Sequence, residues 1–218
     1  MALLGALLIA CVVGASATFL SGYEFHKWRH PPSREHFETR KQVILAHARQ
    51  NPTVDVAIIG DSITELAYLP SLCGAPVLNA GIAGAIVSDA KELMALLSPV
   101  LKARTIVLAV AVNDAGTWAH QTGVVEDDYE QLVRLAQSSG AQVFAATVGP
   151  VAPIANAFNL SRVAPINAQI KSVAARTGAM LIDLGAQLHA DETTDGVHPN
   201  EAGNRRWRDL IEAAVCHR

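Results

Sequence analysis

Val54-Asp55-Val56-Ala57-Ile58-Ile59-Gly60-Asp61-Ser62 is the stretch on which the fold turns. Val56 to Ile59 are apolar at successive positions, the pattern of a parallel strand covered by helices on both faces. The run stops at a glycine and two small polar residues, which predicts a sharp exit from strand into helix. Similar runs recur downstream at Val77 to Asn79, Thr105 to Val112, Gln142 to Val148 and Met180 to Leu184.

Helical stripes fill the gaps. Ile86, Val87, Ala90, Leu93, Met94 and Leu97 make one, and Val125, Tyr129, Leu132, Val133 and Ala136 a second. Val163, Ile166, Ile170, Val173 and Ala174 make a third, and Trp207, Leu210, Ile211 and Ala214 line a terminal helix. Ahead of the first strand, Ser33 to Gln50 reads as a charged helix with Phe37, Val43, Ile44 and Ala48 on its apolar side. Such alternation predicts a three-layer α/β domain with about five parallel strands. In these sheets the site lies beyond the carboxyl ends of the strands. That selects Gly60-Asp61-Ser62, Gly81 to Gly84, Asn113-Asp114 and the loop Asp191 to Asn200.

The chain of 218 residues has room for one ordinary domain and no second. With 50% hydrophobic and 17% charged residues it is not a disordered or tail-like protein. A formal net charge of −3 offers no electrostatic footprint for nucleic acid. Residues 1–22 carry no charged residue or histidine and suit a membrane anchor or a signal segment, with Ala15-Ser16-Ala17 in the form of a cleavage site. Lys27, Arg29, Arg34, Arg40 and Lys41 follow it, which by the positive-inside rule favours the cytosolic side and conflicts with export. Residues 23–32 read as a linker and 33–218 as the folded domain. Cys11 reads as one more apolar residue, and Cys73 and Cys216 as two small buried thiols, or as a single bridge if the domain is exported.

Ser62 at a strand-to-helix turn is a nucleophile candidate, although serine there also serves as a helix cap. His198 can take its proton, and Asp195, three residues earlier, can orient the imidazole. Gly84 offers a closely approaching backbone N–H and Asn113 a side-chain donor for a developing oxyanion, with the Ser62 N–H as a third. As bland alternatives, glycine makes a tight turn and asparagine caps a strand end.

Gly60-Asp61-Ser62-Ile63-Thr64, Asn79 to Gly84, Asn113-Asp114 and Asp195-Gly196-Val197-His198-Pro199-Asn200 together resemble the four blocks of the SGNH, or GDSL-like, hydrolases. The resemblance spans about Val54 to Val215. It implies a flavodoxin-like SGNH fold with strand order 2-1-3-4-5. It also implies Ser62 as nucleophile, His198 as base, Asp195 as its orienting acid, and Gly84 and Asn113 as oxyanion donors. Two positions depart from the pattern: Ala111 stands where the family usually has glycine, and Ala85 where many members have aspartate. Asp61 and Asp114 read as turn braces, and Glu65 as a solvated first-turn acid.

The implied activity is an esterase working through an acyl-enzyme, with no metal, nucleotide or redox cofactor. Its substrate would be a small-molecule or carbohydrate acyl ester, including an O-acetyl group. Transfer of the acyl group to a cell-envelope glycan by the same serine is the alternative, and a noncatalytic envelope-binding role the third reading. Trp118, His120 and the segment Pro150 to Pro165 are candidates for a rim. The sequence leaves the oligomeric state open.

Overall fold

The structure is a computed structural model that describes residues 32–118 and 125–216. The predicted anchor or signal segment, most of the linker, and His120 lie outside the described residues. The described chain begins with helix α1, Pro32–Gln50, and continues into strand β1, Thr53–Gly60. A short helix α2, Ser62–Leu66, precedes β2, Val77–Gly81, and α3, Val87–Leu97. Then come β3, Lys102–Ala109, a 3-10 turn at Val112–Ala115, α4, Val125–Ser138, and β4, Gln142–Ala146. Helix α5, Val163–Thr177, β5, Met180–Ile182, the single turn α6, Leu184–Gln187, and α7, Glu201–Cys216, complete the chain.

The five strands form one sheet in the order β2-β1-β3-β4-β5, and every pairing is parallel. Helices cover both faces. Because side chains alternate along a strand, Ala57, Ile59, Ile106, Leu108, Val143 and Ala145 face the core under α1, α3, α4 and α5. Val56, Ile58, Val107, Phe144 and Ala146 face Trp207, Ile211 and Val215 of α7. Burial on both faces accounts for the unbroken apolar runs of the sequence.

Several local expectations change, and the predicted strands Gln142 to Val148 and Met180 to Leu184 end at Ala146 and Ile182. The predicted third strand, Thr105 to Val112, ends at Ala109, because the backbone turns at Ala111, where φ is +129°. Its apolar character continues regardless, since Val110, Ala111 and Val112 are all buried beyond the last paired residue. In α1, Leu45 is buried in the place assigned to Val43, which is 39% exposed. Cys73 and Cys216, read first as two thiols, form a disulfide that ties the loop after α2 to the end of α7 across 143 residues of sequence.

Candidate active site

Strand β1 runs through the core and delivers Gly60 to a crowded corner, where a Cβ would stand 2.0 Å from Thr64 Oγ1 and 2.8 Å from the Ala109 carbonyl. The next residue, Asp61, caps α2 by accepting the Ile63 N–H at 3.0 Å. Ser62 is therefore the first residue of the helix rather than its cap, and its hydroxyl is free of the capping duty. It is 8% exposed.

The imidazole of His198 reaches Ser62 from a loop 136 residues later, with Nε2 at 2.9 Å from Oγ. On the far side of the ring, Nδ1 lies 2.7 Å from Asp195 Oδ2. The other carboxylate oxygen of Asp195 accepts the amides of Val197 at 3.0 Å and His198 at 2.8 Å, so the loop folds around its own acid. Partial burial pushes the Asp195 carboxyl up, but these amides and the ring pull it further down, to about 2. An ionised carboxylate only accepts hydrogen bonds, so Nδ1 must donate and Nε2 of the neutral ring is left to accept from Ser62.

Sheet order sets the opposite wall. Because β1 lies between β2 and β3, Ser62 leaves the sheet between the loop carrying Gly84 and the turn carrying Asn113. The two loops are joined directly. Asn113 Nδ2 donates to the Ala85 carbonyl at 3.0 Å, which leaves the second amide hydrogen for another acceptor. Asp114 accepts the Val87 N–H at 3.1 Å. Gly84 has φ +80°, a conformation that favours glycine.

Asp61 and Asp114 brace these turns and are buried. Burial pushes Asp61 up to about 6, against the amides of Ile63, Val112 and Ala111 and the nearby His198 ring. Burial also pushes Asp114 up to about 7, against the Val87 amide, with the neighbouring Asp61 adding to the rise. The 3-10 turn and the loop of His198 meet a common partner in the segment after β4. Thr117 N–H donates to the Ala157 carbonyl, and Ala152 N–H to the Gly196 carbonyl. Trp118 packs edge-on against Phe158, with ring centroids 5.1 Å apart. The predicted rim thus has Trp118 and the Pro150 segment in contact.

The family model for the GDSL-like Lipase/Acylhydrolase family matches residues 58–206, more than half of the chain. The chain belongs to this family. It is accordingly a serine-dependent ester hydrolase. No curated protein is a significant match to this GDSL-like hydrolase.

Solved structures share its fold at low identity. A lipase/acylhydrolase from Enterococcus faecalis is 20% identical, with a TM-score of 0.64 over 75% of this chain and 95% of its own. A carbohydrate acetylesterase from Sinorhizobium meliloti is 16% identical, with a TM-score of 0.64 over 74% of this chain and 98% of its own. An acetyl xylan esterase is 24% identical, with a TM-score of 0.61 over 74% of this chain and 100% of its own.

Sequence reasoning missed one neighbour of the site. Glu65 is not a solvated acid: its side chain is 18% exposed and accepts the Ala83 N–H at 2.5 Å. Nothing in the local sequence signals that contact, which joins residues 18 positions apart.

Proposed function

We propose that this GDSL-like hydrolase removes a small acyl group, such as an O-acetyl group on carbohydrate, outside the cytosol, with Ser62, His198 and Asp195 as its catalytic line. The observation that carries the residue roles is the continuous hydrogen-bonded path from Ser62 Oγ through His198 to Asp195, at 2.9 and 2.7 Å. Ser62 Oγ attacks the ester carbonyl while His198 Nε2 takes its proton. Negative charge moves to the carbonyl oxygen, which receives the N–H groups of Gly84 and Ser62 and the remaining Nδ2 hydrogen of Asn113. His198 then protonates the departing alcohol. Water, deprotonated by the same nitrogen, attacks the acyl carbon, and Nε2 returns that proton to Ser62 Oγ as the Oγ–acyl bond breaks and the acid leaves.

One observation supports the substrate class: solved structures of a carbohydrate acetylesterase and an acetyl xylan esterase share the fold.

The disulfide supports the location, because such bridges persist in oxidising compartments. It weighs against the cytosolic orientation that the basic residues after the apolar segment favour. In this reading residues 1–22 deliver or anchor the domain and 33–218 carry the chemistry. None of the described helices is long and apolar enough to cross a membrane.

The test is intact-mass detection of an adduct after treating the full chain with a serine-directed fluorophosphonate, beside Ser62→Ala. An adduct on the native chain alone supports the assignment, and a folded native chain that stays unlabelled overturns it. Faster acyl transfer to a glycan hydroxyl than to water would move the enzyme to the acyltransferase reading.

A further inference from the structure

Helix α1 precedes the matched family residues, yet it reaches the loop that carries Gly84. Arg40 Nε donates to the Gly81 carbonyl and Nη2 to the Asn79 carbonyl, each at 3.1 Å. The same guanidinium has Glu65 Oε1 at 3.8 Å, and His36 Nε2 lies 3.1 and 3.0 Å from the two oxygens of that carboxylate. Glu65 Oε2 in turn holds the Ala83 N–H. The loop and α2 also touch without side chains between them, because a Cβ on Gly81 would stand 2.3 Å from the Glu65 nitrogen. Asn79 Nδ2 donates to the Thr64 carbonyl at 2.7 Å, and its Oδ1 accepts the Gly81 N–H at 3.0 Å.

Two backbone torsions separate the Ala83 N–H from the Gly84 N–H. One residue beyond Gly84, the Ala85 carbonyl is held by Asn113. Gly84 is therefore pinned on both sides, by Glu65 before it and by Asn113 after it. Glycine at φ +80° resists rotation least of all residues, so the aim of its N–H depends on these neighbours.

We propose that Glu65 is a positioning residue which, braced by Arg40 and His36 of α1, fixes the direction of the Gly84 N–H toward the developing oxyanion. The inference rests on the reading of Gly84 as an oxyanion donor. It makes α1 a working part of the catalytic unit, and it gives the segment that leads from the apolar N-terminus a direct mechanical link to the reacting oxygen. A misaimed donor costs transition-state stabilisation while leaving ground-state binding intact.

Two readouts on the full chain test this: amide hydrogen exchange over residues 81–85, and steady-state hydrolysis of p-nitrophenyl acetate. Glu65→Ala should speed the exchange and lower kcat about ten- to hundred-fold, with KM changed by less than about two-fold. Glu65→Gln keeps a carbonyl oxygen for the Ala83 N–H and should recover most of both. Arg40→Ala should act in the same direction more weakly, and it serves if Glu65→Ala does not fold. Glu38→Gln, an exposed ion-pair change on α1, should leave both readouts at the native level.

Native exchange and native kcat in folded Glu65→Ala and Arg40→Ala overturn the inference, as does faster exchange with no change in kcat. A native chain that neither turns over the ester nor labels at Ser62 overturns the functional reading and the catalytic half with it. The exchange result then judges the clamp by itself.

Discussion

With Ser62 and His198 in their proposed roles of nucleophile and base, the two walls of the site are built differently. On the nucleophile side, Asp61, Ser62, Asn113 and Asp114 are 2, 8, 5 and 5% exposed and knit three strand ends together through backbone contacts. On the base side, the Asp195 and His198 side chains are 55 and 36% exposed and are organised by the four-residue turn from Asp195 to His198. A buried, cross-braced wall cannot move without breaking several hydrogen bonds at once, whereas an exposed loop keeps its shape by local bonds and loses little else when altered. Substitutions on the base wall should therefore damage chemistry and spare stability, and those on the nucleophile wall should damage both.

The largest effect sharpens that contrast. His198→Ala should lower kcat by roughly four orders of magnitude or more, in line with triad deletions elsewhere, while the urea midpoint stays near the native value. Asn113→Ala, across the site, should lower kcat by about a hundred- to a thousand-fold with KM little changed, the range for removal of one oxyanion donor. It should also cost about 1–3 kcal/mol of stability, because the Ala85 carbonyl loses its donor. Paired kinetics and urea melts decide the matter, and equal stability losses in the two variants would erase the distinction between the walls.

Acidity separates the walls in sign. The Asp195 carboxyl sits at about 2 in the folded chain, below its usual 3.8, so between those values the unfolded chain binds more protons. Its stabilising contribution is complete above about pH 4 and is lost as pH falls toward 2. Asp61 and Asp114 sit at about 6 and about 7, above the same usual value, so there the folded chain binds more protons. Their contribution falls as pH rises from about 4 to 7. Stability should thus decline between about pH 4 and 7, and Asp114→Asn, which keeps an acceptor for the Val87 N–H, should flatten that decline. Urea midpoints across the range test it, and an unchanged slope in Asp114→Asn would count against a raised Asp114.

The motifs were legible because each is a short run at a strand end, and a parallel sheet brings strand ends together regardless of their distance in sequence. On that ground the sequence alone puts Ser62 and His198 at the same end of the sheet. Long-range consequences of packing left no local mark. The Cys73–Cys216 bridge joins residues that only the docking of α7 brings near. Glu65 looks like any helix-dipole acid until α1 and the Gly84 loop arrive on its two sides. The end of β3 was hidden for another reason: Val110 to Val112 stay buried after leaving the sheet, so hydrophobicity outlasts hydrogen bonding.

Ala111 is where the nucleophile wall stores strain, and it should give the smallest effect. Its φ of +129° is a region that residues with a side chain rarely adopt, at a position where the SGNH pattern usually has glycine. Such a conformation costs of order 1–3 kcal/mol. Ala111→Gly removes that strain but also removes a buried methyl worth about 0.8 kcal/mol. It further adds about 0.5–1 kcal/mol of backbone entropy to be lost on folding. These terms nearly cancel, so the net change should lie between a loss of about 1 and a gain of about 2 kcal/mol, with kcat near native because the Asp114 N–H still meets residue 111's carbonyl, at 3.2 Å in the native chain. A loss of more than about 1 kcal/mol in urea melts would mean that the buried methyl outweighs the strain. The rigidity of this wall would then come from packing around Ala111 rather than from a turn held against its own preference.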